Sequence, residues 1–84
     1  MSAEMVALSD GEGAVLGYAA PEADQVYLVS DNGRRFDAPI LYTLDVEPSV
    51  RFFAFSVPVT SGLLHVTDVN GVELRSPIPL NSAP

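Results

Sequence analysis

The alternation of apolar and polar residues along this chain is typical of short β-strands separated by turns. Residues 35–44 show it best, because their odd and even positions form two sets that would lie on opposite faces of a strand. Seven prolines and six glycines interrupt the chain so often that no window keeps the 3.6-residue period of a helix. The pattern therefore predicts an all-β fold.

Seven strands are predicted between the turn signals. They cover residues 5–8, 14–19, 25–30, 35–44, 50–57, 63–68 and 72–78. Short strands at this spacing predict an antiparallel two-sheet sandwich of immunoglobulin-like type, with a small β-barrel as the alternative. Pro39 has no backbone donor, so strand 35–44 is expected to lie at an edge or to carry a bulge there.

Two stretches of the chain are nearly the same. Residues 29–36 and 66–74 each place Asn-Gly between two alternating runs, and this is the strongest short-range sequence signal for a β-hairpin. Two hairpins are therefore predicted, turning at Asn32-Gly33 and Asn70-Gly71. The second is expected to be longer by one residue, at Val69, and to contain a bulge.

The order of several segments resembles that of a known class of domain. These segments are 25–29 (QVYLV), 31–34 (DNGR), 38–40 (API), 52–55 (FFAF), 57–58 (VP) and 66–71 (VTDVNG). Over residues 14–80 they are similar to small immunoglobulin-like or fibronectin-type β-sandwich domains of the kind found in actinobacterial proteins of unknown function. The resemblance implies adhesion, spacing or assembly, and it carries no catalytic residues. The cysteine pair and core tryptophan of antibody domains are both missing, so an antibody-type domain is not implied.

Length and charge limit the function further. The 84 residues are expected to form one domain, 1–84, in which 81–84 are a frayed tail or the start of a linker. The net charge of −7, with four arginines and no lysine, repels phosphate, so nucleic acid is not an expected partner. No apolar run reaches the ~18 residues of a membrane span, and residues 1–6 do not resemble a signal peptide. The compartment is left open.

His65 is the one histidine, and a catalytic triad would have to use it with Ser56, Ser61 or Ser76 and a carboxylate. It lies in the middle of an alternating run, however, and no nucleophile-elbow motif is present. The eleven carboxylates are interpreted as a solvating surface rather than as a glycosidase pair. We therefore predict no catalytic residue, no cofactor and no enzyme.

Calcium binding is the alternative from another class. Asp68, Asn70 and Glu73 offer oxygen ligands around the second Asn-Gly turn, and Asp31 would approach from the first turn. The complete calcium-loop pattern is absent, and tight turns recruit Asp and Asn for their own backbone geometry. Plain turns without metal are the preferred interpretation, and a calcium-dependent binding module using the Asp31 and Asp68 turns is the alternative.

Strand 50–57 carries large apolar side chains on both faces, although a two-layer sandwich buries only one face of each sheet. We expect the face of Phe53 and Phe55 to be the outer one, and to need a cover from a partner or from local loops. The predicted interface residues are Phe53, Phe55, Val57, Tyr27, Val29 and Leu41.

This patch leads to the functional expectation. The chain is predicted to be a non-enzymatic structural or protein-interaction module that works through an apolar sheet face. It would assemble with itself as a homo-oligomer, or with a larger protein, as in a multidomain chain.

Overall fold

The computed structural model of the chain describes residues 1–8, 11–44 and 49–82, and these form eight β-strands and no helix. The strands are β1 (Ser2–Ala7), β2 (Gly13–Ala19), β3 (Gln25–Val29), β4 (Arg35–Asp37), β5 (Tyr42–Leu44), β6 (Val50–Val57), β7 (Ser61–Thr67) and β8 (Ile78–Asn81). The turns predicted at 9–10 and 45–48, and tail residues 83–84, lie outside the described residues.

Two four-stranded antiparallel sheets make up the fold. The first sheet has the order β1-β2-β6-β5, and the second has the order β4-β3-β7-β8. Neither sheet closes on itself, so the predicted two-sheet sandwich is confirmed and the barrel alternative is wrong. When β4 is set aside as an addition beside β3, the other seven strands, lettered A to G in chain order, have the ABED and CFG order of an immunoglobulin-type sandwich.

The core lies between the two sheets. Val15 and Phe53 face inward from the first sheet, and Leu28 and Leu64 face inward from the second, all of them buried. Each such side chain stabilises the fold by roughly 1.5–3 kcal/mol relative to an exposed position. The inward positions alternate along every long strand, and this alternation decides which residues remain for the surface.

Gly17 makes room for the core side chain of Phe53. It pairs with Phe53 across β2 and β6, and a Cβ at Gly17 would lie 2.9 Å from Phe53 Cζ and 2.2 Å from the carbonyl oxygen of Ser2. No side chain fits in that space without moving the backbone of β1. The phenylalanine ring therefore packs over a position that only glycine fills.

The predicted strand 35–44 is wrong as a single element, because it is two strands in different sheets. Ala38 N donates to Val26 O at 2.8 Å and prolongs the β4 pairing by one residue. Pro39 then lacks a donor, and the chain crosses to the first sheet, where β5 pairs with β6. The described part of the chain consequently has eight strands rather than about seven.

Both Asn-Gly turns are three-residue hairpin loops of the same kind. In each, the residue before the loop donates its N–H to the carbonyl of the residue after it, and the loop glycine, at φ near +80°, donates back to the residue before. The bonds are Ser30–Arg34 and Gly33–Ser30 in one loop and Asp68–Val72 and Gly71–Asp68 in the other, all between 2.8 and 3.0 Å. The extra residue expected at Val69 is therefore wrong, since the two loops have equal length.

The predicted strand 72–78 is also wrong. After the second loop Glu73 forms an isolated bridge to Thr67, Leu74 N donates to Val66 O at 2.9 Å, and the pairing ends there. Pro77 follows, and β8 begins at Ile78 and pairs with the opposite end of β7. Proline lacks the donor that would continue the ladder, which explains why this arm is divided.

Candidate interaction surface

The side chains of β6 face the opposite way from the prediction. Phe53 is 3% exposed, and Phe55 and Val57 are also buried, whereas Phe52 is 39% exposed. The prediction that the face of Phe53, Phe55 and Val57 is the outer one is wrong. β6 pairs with β2 so that Phe55 lies beside Val15, whose side chain is fully buried, and this register turns all three residues toward the core.

The other three predicted interface residues do not join them. Tyr27 and Val29 are half-buried and belong to the second sheet, on the face turned away from the core. Leu41 precedes β5 and packs against the core. The six residues are thus divided among the core, the second sheet and a connection, and they form no common patch.

Three aromatic side chains do share the outer face of the first sheet. Tyr18 on β2 is directly opposite Phe52 on β6, and Phe52 is opposite Tyr42 on β5. Tyr18 is 42% exposed and Tyr42 is 56% exposed. The rings of Tyr18 and Phe52 meet edge to face, with their centroids 6.4 Å apart. We call these three residues the aromatic row.

An apolar surface with one charge surrounds the aromatic row. Leu16 is exposed beside Tyr18 on β2, and it pairs with Ala54 on one side and with Glu4 of β1 on the other. A shallow, open depression runs over these residues and the row. Glu4 is the single charged residue at the outward positions of the first sheet, within the part of the chain that the structure describes.

Sequence reasoning missed the aromatic row because it assigned the faces of one strand wrongly. Phe52 and Ala54 were visible as the second apolar face of β6, and Leu16 and Tyr18 form a similar second face of β2. The signal that favours the correct assignment is size. Phe53, Phe55 and Val57 have a larger apolar area than the residues on the opposite face of β6, and burying the larger area stabilises the fold more.

The outer face of the second sheet carries a cluster of polar and aromatic groups that contact one another. The rings of Tyr27 and His65 stack in parallel at 4.9 Å between centroids, and the Arg35 guanidinium lies 3.7 Å from the centre of the Tyr27 ring. Arg35 Nε donates to Asp37 Oδ1 at 2.6 Å, and His65 Nδ1 contacts Glu73 Oε1. The cluster holds β4, β3, β7 and the segment after the second loop together.

The structure separates His65 from two of the three candidate serines. Ser56 belongs to the first sheet, and Ser61, on the same strand as His65, is about 14 Å from it. The Ser61 hydroxyl instead donates to Asp31 Oδ2 at 3.1 Å. In the described ranges none of the three candidate serines hydrogen-bonds His65, whose ring is held by Tyr27 and Glu73.

The four candidate metal ligands are also dispersed. Asp68 Oδ1 accepts from the backbone N–H groups of Asn70 at 2.9 Å and Val72 at 3.0 Å, as in a plain Asx turn. Glu73 contacts His65, and Asp31 follows the opposite end of the β3–β7 pair, about 14 Å or more from Asp68. Over residues 1–8, 11–44 and 49–82 no group of three or more His, Cys, Asp or Glu side chains is placed to hold a metal ion.

Comparisons with protein-family models, with curated proteins and with solved structures found no match to this chain. The immunoglobulin-like resemblance therefore has no relative to support it beyond the strand order itself. Within the described residues, none of the secondary structure is a helix of the length and hydropathy that a membrane crossing requires.

Proposed function

We propose that this chain is a non-enzymatic interaction module that docks to another protein through the outer face of its first sheet. The single observation that carries the proposal is the aromatic row, in which Tyr18, Phe52 and Tyr42 lie side by side on three neighbouring strands, each more than a third exposed. Exposed aromatic side chains are enriched at protein interfaces because they bury a large apolar area on binding.

The size of this face favours a weak complex, and the net charge of the chain favours a partner other than a second copy. Four strands with a usual spacing and length give a footprint on the order of 300–400 Å². Apolar patches of that size on monomers are often functional. A stable interface takes roughly 800 Å² from each partner, however, so this face alone is too small for a permanent complex with any partner. Two copies would also bring together two chains with a net charge of −7 each.

Four polar side chains on or beside the second sheet are engaged in structure rather than free for chemistry. His65, Arg35 and Glu73 all contact neighbouring side chains, and Asp68 accepts two backbone bonds of its own turn. A catalytic group needs a substrate within reach of its reactive atom. This supports the non-enzymatic proposal.

Site-specific photo-crosslinking in cells that produce the protein tests the proposal. A benzophenone amino acid replaces Phe52 in one variant and Leu63 in a matched control, because Leu63 is a 45% exposed apolar residue on the outer face of the other sheet. We expect a defined crosslinked protein, identified by mass spectrometry, from position 52 and not from position 63.

Two further observations make the test decisive. Adding Tyr18→Ser to the position-52 variant should abolish the crosslink while the far-ultraviolet circular dichroism stays unchanged. No crosslink at position 52, or the same products from both positions, would contradict the proposal. A crosslink from position 52 to a second copy of the chain would contradict docking to another protein and would indicate self-association instead.

A further inference from the structure

The free edge of β1 adjoins the proposed docking face, and it differs from the other sheet edges. Within the described residues the edge strands are β1, β5, β4 and β8. β4 and β5 have three residues each, and β8 contains Pro79 and follows directly after Pro77. Short length and proline are the means by which proteins keep edges from pairing with other chains. β1 has six residues with neither proline nor glycine.

The backbone of β1 is paired on one side only. Its six residues form a ladder with β2, from Ser2 opposite Tyr18 to Ala7 opposite Gly13. In the described chain, no other backbone hydrogen bond engages residues 2–7. At the usual rise per residue this leaves an edge of about 20 Å with unpaired N–H and C=O groups.

From this geometry we infer that β1 is a strand-addition site, at which an extended segment of the partner protein pairs with the free edge and extends the apolar face. The inference rests on the proposed function and names how the partner binds. An added strand would place alternate side chains next to Ser2, Glu4 and Val6 on the outer face. It would enlarge the small footprint of the first sheet by one more strand.

Charge indicates what this segment contains. Glu4 is the charged residue of β1, and Val6 beside it is exposed and apolar. A cross-strand neighbour of Glu4 is favourable when it is basic, and a neighbour of Val6 is favourable when it is apolar. The segment is therefore one in which a basic and an apolar residue lie two positions apart, so that both point to the outer face. The β1 of a second copy does not fit, because it offers another glutamate and the same acidic field.

Short synthetic peptides test this inference with the intact chain. The probe, called the valine–lysine peptide, is a capped eight-residue peptide with the repeat Lys-Thr-Val-Thr, which places lysine and valine in turn on one face. The references are a valine–glutamate peptide, in which glutamate replaces lysine, and a valine–lysine peptide with a central proline. We expect the first peptide alone to bind, by isothermal titration, and to slow hydrogen exchange at the amides of residues 2–7. The proline version controls for attraction between any basic peptide and an acidic domain, because it keeps the charge but cannot complete the ladder.

Two charge reversals locate the contact. Glu4→Lys should weaken binding of the valine–lysine peptide about tenfold and reverse the preference toward the valine–glutamate peptide. Glu22→Lys, in the exposed turn between β2 and β3, changes the net charge equally and should have a much smaller effect. Equal weakening by both variants, binding without protection of residues 2–7, or no binding would overturn the inference. Protection of residues 2–7 by self-association without peptide would overturn it too.

The outcome for β1 is separable from the outcome for the proposed function. A specific crosslink at position 52 together with failure of the peptides would overturn strand addition alone. Absence of a specific crosslink at position 52 would overturn the proposal that the outer face of the first sheet is a docking face.

Discussion

The rings of Tyr27 and His65 lie parallel, 4.9 Å apart at their centroids and 4° apart in plane, on neighbouring strands of the second sheet. Arg35 approaches the same tyrosine ring from β4, on the other side of β3. The Tyr27 ring thus contacts two side chains of its own chain, and these contacts connect β4, β3 and β7. A residue that the sequence suggested for a partner interface has an internal contact of its own.

The Tyr27–His65 stack should be measurable as an energetic coupling. We expect the double variant Tyr27→Ala/His65→Ala to lose less unfolding free energy than the sum of the losses in the two single variants. The difference, which is the coupling energy, should be about 0.5–1.5 kcal/mol. Urea denaturation of the four proteins measures it. Glu73→Gln serves as a control for the His65–Glu73 contact, and strict additivity of the two alanine variants would contradict a stabilising stack.

The inward direction of Phe53 predicts unequal effects for two adjacent phenylalanines. Phe53→Ala should lower the free energy of unfolding by about 3–5 kcal/mol, because it leaves a cavity in the core, whereas Phe52→Ala should cost about 1 kcal/mol or less. Denaturant midpoints of the two variants test this difference. If Phe53→Ala does not fold, Phe53→Leu provides the milder comparison, and equal costs at the two positions would mean that the faces of β6 are assigned wrongly.

Gly17→Ala should destabilise the fold by about 1–3 kcal/mol through steric overlap with Phe53 and with β1. Gly33 provides a contrast, because it has open space around it but a φ of +84°, so its alanine variant should cost about 1–2 kcal/mol through the backbone alone. Asparagine tolerates that backbone conformation. In thermal unfolding, Gly33→Asn should therefore be more stable than Gly33→Ala, whereas Gly17→Asn should not be more stable than Gly17→Ala.

Arg51 joins two connections that cross between the sheets. Its guanidinium donates from Nη1 to Ala23 O at 2.8 Å and from Nη2 to Leu41 O at 3.3 Å. We expect Arg51→Met to lower the free energy of unfolding by about 1–3 kcal/mol and to speed hydrogen exchange in β5, because two carbonyl groups lose their donors. Arg51→Lys should recover only part of this, since an ammonium lacks the planar fork. Unchanged exchange in β5 would show that the two bonds do not hold this connection.

Substitutions of Asp68 distinguish a plain turn from a calcium site. Asp68→Ala should cost about 1 kcal/mol because two backbone N–H groups lose their acceptor, whereas Asp68→Asn keeps an acceptor and should remain close to the wild type. Calcium should not change the melting temperature of either variant or of the wild type. A rise with calcium in the wild type that is lost in Asp68→Asn would instead support the calcium-dependent alternative.

Local patterns in the chain were enough for the fold class and for much of the strand placement. The period of two and the density of proline and glycine predicted the all-β sandwich, and β2, β3 and β6 begin or end within one residue of the predicted strands. Both Asn-Gly turns are hairpin loops, because only residues that accept a positive φ fit the last loop position. These features depend on interactions between residues close in sequence, and the sequence therefore determined them by itself.

Only the tertiary structure decided which faces are buried and which segments change sheets. β6 has two apolar faces, and the register with β2 and the space over Gly17 select Phe53 for the core and leave Phe52 outside. In the same way, strand 35–44 reads as continuous until Pro39, where the chain passes from one sheet to the other. A one-residue shift in register reverses every side chain of a strand, and register is set by pairing between distant parts of the chain. The docking face is therefore a consequence of packing that the alternating pattern of β6 alone did not contain.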